Sequence, residues 1–129
     1  MENVMIQPVH TDAAPAAIGP YSQAVRTGDL VFASGQIPLD PATGQLVAGG
    51  IREQTRQALT NASAILTAAG TSLASAVQVT VLLADIDDFA AVNEEYASFF
   101  GEPYPSRQAF AVAGLPKGAL VEITVVAAA

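Results

Sequence analysis

Three side chains in this sequence stand where their chemistry could be used: a guanidinium at the head of an uncharged run, a carboxylate inside another, and a phenol after a Gly-Pro pair. Arg107 follows Pro105 and Ser106 and opens the uncharged run from Gln108 to Val112. A guanidinium held on a strand offers a planar pair of N–H donors that matches one carboxylate. The competing reading is an edge arginine, solvated or paired to Glu102, because charges routinely blunt sheet edges. Glu122 is the one ionisable group between Ala119 and Ala129, set within VEITVV. Alternation puts it on one face with Leu120, Thr124 and Val126, where burial would raise its pKa toward a range useful for exchanging protons. A solvated glutamate on an edge strand fits the same pattern.

Tyr21 follows Ile18, Gly19 and Pro20, so the proline constrains the backbone that aims the ring. Its hydroxyl can serve a substrate or a catalytic water, although tyrosines of this kind commonly only pack. Ser34 and Gly35 end an apolar run, where a glycine lets backbone N–H groups approach an anion or simply permits a turn. Asn93 lies within a helical pattern beside Glu94 and Glu95, a poor position for asparagine unless its side chain has a partner or faces water. Lys117, in a Gly-flanked loop, reads as solvated rather than as a Schiff-base former.

Other chemistries lack their residues. The sequence has no cysteine and one histidine, His10, in an N-terminal segment, which leaves little from which to build a thiolate site, a His-based triad or a His-based metal site. Neither a GxxxxGK[ST] nor a GxGxxG loop follows a strand, so phosphate and dinucleotide sites are unsupported. The net charge is -7, and the five cations (Arg26, Arg52, Arg56, Arg107 and Lys117) form no basic run, which disfavours nucleic acid as a partner. The start of the chain lacks the basic and apolar blocks of a signal peptide. Polar residues interrupt the uncharged stretch from Gln57 to Ala84 too often for a membrane span, so no membrane partner is expected and cytoplasm is the expected compartment.

The elements that must position these residues are legible in outline. A short strand is expected around Val4 to Val9, then a hairpin of Ser22 to Arg26 and Leu30 to Ser34 about Thr27-Gly28-Asp29, then a Pro- and Gly-rich loop from Gly35 to Gly50. Ile51, Ala58, Leu59, Ala62, Ile65, Leu66 and Ala69 follow helical spacing, and Gly70 stops the helix. Val77, Val79, Val81 and Leu83 alternate as in a strand. Asp87 and Asp88 precede a second helical pattern, Phe89, Val92, Tyr96 and Phe99, which reads as a core face. Arg107 to Val112 and Leu120 to Ala127 are strand-like. The order is β-β-β-α-β-α-β-β, an α+β fold of one mixed sheet with both helices on one face. The 129 residues suit one domain, 1–129, without repeat or linker. With only 13% charged residues against 51% hydrophobic, the opposite sheet face is expected to pack against sister chains.

Several segments together carry a more specific signal. IGPYSQAV at 18–25, SGQIPLDPATG at 34–44, the helix containing Asn61, VNEEYASFF at 92–100, PSR at 105–107 and LPKGALVEI at 115–123 resemble the RidA/YjgF family in order and spacing. The likeness covers nearly the whole chain. It implies a chorismate-mutase-like fold and a homotrimer with clefts between neighbouring subunits. It also implies hydrolysis of 2-imino or enamino acids, such as 2-iminopropanoate and 2-iminobutanoate, to 2-keto acids and ammonia, with no metal or organic cofactor. By position, Arg107 matches the family arginine that clamps the substrate carboxylate and Glu122 the acidic residue that handles water. Tyr21 matches the family tyrosine, Ser34 and Gly35 the pair at the cleft edge, and Asn93 the helix asparagine. Ala109 stands where the best-known subgroup has a cysteine lining the cleft, a loss that water-based chemistry tolerates. Gly101 to Ser106 is shorter than in that subgroup. The alternatives within the family are a non-catalytic small-acid-binding or chaperone-like trimer and, less favoured by the charge distribution, a ribonuclease or translation inhibitor.

Overall fold

Two alternating runs form the centre of the sheet, β4 (Ala76–Leu83) and β6 (Val121–Ala128), paired antiparallel with Val79 opposite Val125 and Leu82 opposite Glu122. Val79, Val81, Leu83, Val121, Ile123 and Val125 are fully or almost fully buried on one face, while Thr80, Leu82, Glu122, Thr124 and Val126 point to the other. In the computed structural model, which describes residues 5–129, four further strands complete one mixed sheet: β1 (Gln7–Val9), β2 (Ala24–Thr27), β3 (Leu30–Ala33) and β5 (Ser106–Ala111). The order is β1-β2-β3-β6-β4-β5, and only the β4–β5 pair is parallel. The first strand is shorter than expected, and the Val4 part of that expectation lies outside the described residues, as do Met1 to Asn3.

Helix α1 (Ile51–Ala68) buries the expected stripe of Ala58, Leu59, Ala62, Ile65 and Leu66 against the valine-rich face, and Gly70 follows it at φ +88. Buried Asn61 donates from Nδ2 to the carbonyls of Leu39 (2.9 Å) and Ile37 (3.3 Å), fastening the Pro- and Gly-rich loop to the helix. The Gln54 Oε1 accepts from Leu120 N–H (2.8 Å), which anchors the start of β6 and so the strand that carries Glu122. No helix among the described residues is long and apolar enough to cross a membrane.

Helix α2 (Phe89–Ala97) lies on the same face, with Val92 and Tyr96 in the core. It ends before Phe99: the Phe99 N–H bonds to Tyr96 O and the Ser98 hydroxyl donates to Glu95 O, tightening the last turn. That tightening turns Phe100 fully into the core, where it stacks on Tyr96 with centroids 4.4 Å apart, while Phe99 packs half-buried against the core. Ion pairs from Arg52 to Glu94 (2.8 Å) and from Arg56 to Glu95 (3.0 Å) join the two helices. The face without helices carries exposed Phe32 and Phe110 beside half-buried Val25, Leu82 and Val126.

Candidate active site

The register of β5 decides where Arg107 points. Arg107 pairs with buried Val79, so its side chain emerges on the helix side of the sheet. Because β5 is an edge strand, the side chain emerges beside α2 and not beneath it. Its Nη1 donates to Asn93 Oδ1 at 2.7 Å. The guanidinium carbon lies 4.9 Å from the centre of the Tyr96 ring and 5.4 Å from that of Phe89. No carboxylate among the described residues pairs with it, and the Glu102 pairing is not formed. A cleft of about 360 Å³ opens here, lined by Arg107, Asn93, Tyr96, Tyr104 and Pro105. Ala109 pairs with Val81, so it too faces the helix side, half-buried against the core rather than lining this cleft.

Glu122 belongs to the other face. It lies opposite Leu82 in the register, on the helix-free side, and lines a separate cleft of about 510 Å³ with Tyr21, Gly35, Ile37, Pro116 and Lys117. Partial burial pushes its pKa above the ordinary carboxylate value, and among the described residues the carboxylate makes no hydrogen bond to another protein group. Such a carboxylate is available to water or to a ligand.

Gly35 explains how the carboxylate fits. The chain leaves β3 at Ala33, and beyond Gly35 an exchange of backbone hydrogen bonds between Gln36 and Ile123 keeps it beside β6. A Cβ on Gly35 would stand 2.6 Å from Glu122 Oε2 and 3.0 Å from Thr124 Oγ1. Gly35→Ala is therefore expected to displace the carboxylate while leaving a backbone that alanine can adopt. Since misplacement by about 1 Å can cost roughly 100-fold in rate, turnover should fall by about 10- to 100-fold with little change in melting temperature. Steady-state kinetics and thermal unfolding of the variant check this, and unchanged turnover would show that the close approach has no catalytic meaning.

The remaining expected residues divide between wall and frame. Tyr21 is exposed at the mouth of the Glu122 cleft; its hydroxyl oxygen accepts from Ile18 N–H at 3.3 Å, leaving the phenolic proton free to donate. Ser34 lines neither cleft: its hydroxyl donates to Ser22 O at 2.7 Å and ties the two ends of the hairpin. Of the residues expected to act together, Tyr21, Gly35 and Glu122 meet in one cleft and Arg107 and Asn93 in the other. Within one protomer the two groups are not brought together.

Sequence reasoning did not give the roles of four residues here, Gln23, Lys117, Phe89 and Tyr96. Gln23, only 2% exposed, accepts from Thr11 N–H (2.7 Å) and donates to Thr11 O (3.0 Å) and Pro15 O (2.8 Å), holding the segment that walls the Glu122 cleft. Lys117 is exposed, as expected, and it also lines that cleft from a left-handed backbone (φ 59). Its loop setting, Pro116-Lys117-Gly118, was the only signal. Phe89 and Tyr96 were read as core, and their spacing gave no hint of Arg107. Among the described residues no cluster of three or more His, Asp or Glu side chains could hold a metal ion.

Comparison with known proteins agrees with this architecture. Residues 11–129 match the family described as Endoribonuclease L-PSP. The chain is 53% identical over 122 residues to the RutC family protein y4sK of Sinorhizobium fredii, covering 95% of this chain and 97% of that one. It is 51% identical over 127 residues to a protein of Capra hircus named 2-iminobutanoate/2-iminopropanoate deaminase, covering 98% of this chain and 93% of that one. The crystal structure of RidA from the Antarctic bacterium Psychrobacter sp. PAMC 21119 superposes with a TM-score of 0.92 at 46% identity, covering 95% and 99% of the two chains. Fold, motifs and near full-length likeness lead to one conclusion: the chain belongs to the endoribonuclease L-PSP family, that of the RidA/YjgF proteins.

Proposed function

We propose that this protein hydrolyses short 2-imino acids and their enamine tautomers to 2-keto acids and ammonia, in clefts closed between copies of the chain. One observation carries the reading. A guanidinium without a carboxylate partner and a desolvated carboxylate without a hydrogen-bond partner stand in separate half-clefts, on opposite faces of one sheet. Each supplies what the other lacks for a substrate that is an anion at one end and an electrophilic carbon at the next atom. The name of the Capra hircus relative, 51% identical, points to the same reaction.

Joining the two half-clefts brings two different surfaces of the chain together. Such a contact is heterologous and closes into a ring when the rotation permits. A ring of three agrees with the family resemblance, and the apolar helix-free face, with Phe32, Phe110, Leu82 and Val126, gives the ring an interior to bury. In the assembled cleft Arg107 grips the substrate carboxylate while Asn93 holds the guanidinium. Glu122 accepts a proton from water as the water oxygen attacks the imine carbon, and the imine nitrogen gains a proton. The carbinolamine then collapses: the hydroxyl proton passes by way of Glu122 to the nitrogen as the C–N bond breaks, and ammonia and the 2-keto acid depart. The free phenolic proton of Tyr21 is placed to support the water or the forming oxyanion. This sequence of bond changes requires no cofactor.

The test is ammonia release from 2-aminoacrylate generated in situ by a pyridoxal-phosphate dehydratase, alongside calorimetric titration with a 2-keto acid. Binding with accelerated ammonia release is expected. Binding without acceleration would leave a small-acid-binding module instead of an enzyme. For the ribonuclease reading the five cations are scattered, and His10 is exposed, pairs with Asp12 and lines neither cleft.

A further inference from the structure

The most developed feature around Arg107 lies beneath it, in the face of α2. Phe89, Asn93 and Tyr96 follow one another along this face, with the backbone positions of the two aromatic residues about 10 Å apart along the helix axis. The guanidinium carbon, 5.4 Å from the Phe89 ring and 4.9 Å from the Tyr96 ring, fills the gap between them, while Nη1 reaches Asn93 between the rings. Tyr96 cannot easily yield, since Phe100 stacks against it at 4.4 Å and the residue is 7% exposed. The helix that carries both rings is fastened to α1 by the Arg52–Glu94 and Arg56–Glu95 pairs.

An arginine on an exposed edge strand ordinarily samples many rotamers and must give up that freedom to bind a ligand. Here two aromatic faces hold the cation and one amide fixes its rotation, leaving its other N–H groups without a protein partner among the described residues. Ring faces attract a cation without consuming its donors, whereas a carboxylate in the same place would have occupied the fork. We infer that Phe89 and Tyr96 are positioning residues for substrate binding, an aromatic bracket that sets the Arg107 fork before a carboxylate arrives. The inference rests on the proposed role of Arg107 as carboxylate clamp.

The test compares Tyr96→Leu, Tyr96→Phe and Phe89→Leu in the full-length protein, with two ligands: 2-oxobutanoate and its neutral primary amide. The bracket predicts that Tyr96→Leu binds the acid about three- to thirtyfold more weakly, while Tyr96→Phe, which keeps the ring, stays within about twofold of the parent protein. Phe89→Leu, at a half-buried position with less risk to folding, should weaken the acid in the same direction, and binding of the amide should not change in any variant. In kinetics the loss should appear in KM more than in kcat. In nitrogen–proton correlation spectra, the Arg107 Nε–H signal should sit at a ring-shifted position in the parent and in Tyr96→Phe and lose that shift in Tyr96→Leu. Equal loss for acid and amide, or undiminished acid binding in both leucine variants, would overturn the bracket. A parent protein that binds acid and amide equally would instead remove the clamp itself, a different failure, recognisable before any variant is made.

Discussion

Exchanging Glu122 for Gln is expected to lower turnover by about 100- to 10,000-fold, the range over which a positioned general base contributes, while a 2-keto acid still binds. The two side chains have nearly the same shape, so the short approach to Gly35 is kept and the cleft should remain intact. What disappears is the site that takes the proton from water. The pH dependence follows from the direction of the Glu122 shift. Burial raises its pKa, and the ionised form is the one that accepts a proton. Activity should therefore fall as the pH drops through that pKa, at a pH above the range of an ordinary glutamate, and this acidic limb should be missing from whatever activity the variant retains. Turnover near the parent level in Glu122→Gln would make the residue a structural one and end the water-activation scheme.

The second large effect is expected at Arg107. Replacement by Lys keeps the charge but substitutes a compact ammonium for a planar fork. A lysine cannot donate in parallel to two carboxylate oxygens while also engaging Asn93, and its ammonium would lie differently between Phe89 and Tyr96. Losing one charge-assisted hydrogen bond of about 2–3 kcal/mol corresponds to roughly a 30- to 150-fold loss in kcat/KM. Since Arg107 is an exposed edge-strand residue without a carboxylate partner among the described residues, stability should change little. Ammonia release measured across substrate concentration checks this. A variant with unaltered kcat/KM would mean that net charge alone, rather than the fork, attracts the substrate.

These two residues also show how far the sequence can be read. The strict alternation in VEITVV assigned Glu122 to the face of Thr124 and Val126, where it stands, because the period of a strand is a local property. The spacing in α1 and its Gly70 stop are likewise local: the central five positions of the stripe are buried, Ile51 and Ala69 at its ends are half-buried, and buried Gln54, Thr55 and Asn61 add a polar edge that apolar spacing does not report. The face of Arg107 is not local. It depends on the parallel register of β5 against β4, which pairs Arg107 with Val79 across an intervening helix, and no period within β5 reports that register. Phe89 and Tyr96 carried a helical core pattern, and Tyr96 is buried and Phe89 half-buried against the core, but that pattern was silent about the cation beside them. Phe100 escaped because the tightened end of α2 shifts the pattern by one residue. The segment 34–44, rich in Pro and Gly, is held by the Asn61 amide and the Gln36–Ile123 bridge, contacts between positions far apart in the chain. The family motifs named the candidate residues without showing that they lie on two faces.

That division makes the account testable by mixing two inactive proteins. Arg107→Ala lacks the clamp and Glu122→Gln lacks the base, and each alone should be nearly inactive. If every working cleft draws Arg107 from one copy and Glu122 from the next, co-refolding the two in equal amounts builds some clefts with both parent residues, and about a quarter of parent activity should return. Mixed assemblies that remain as inactive as their components would contradict a cleft shared between subunits.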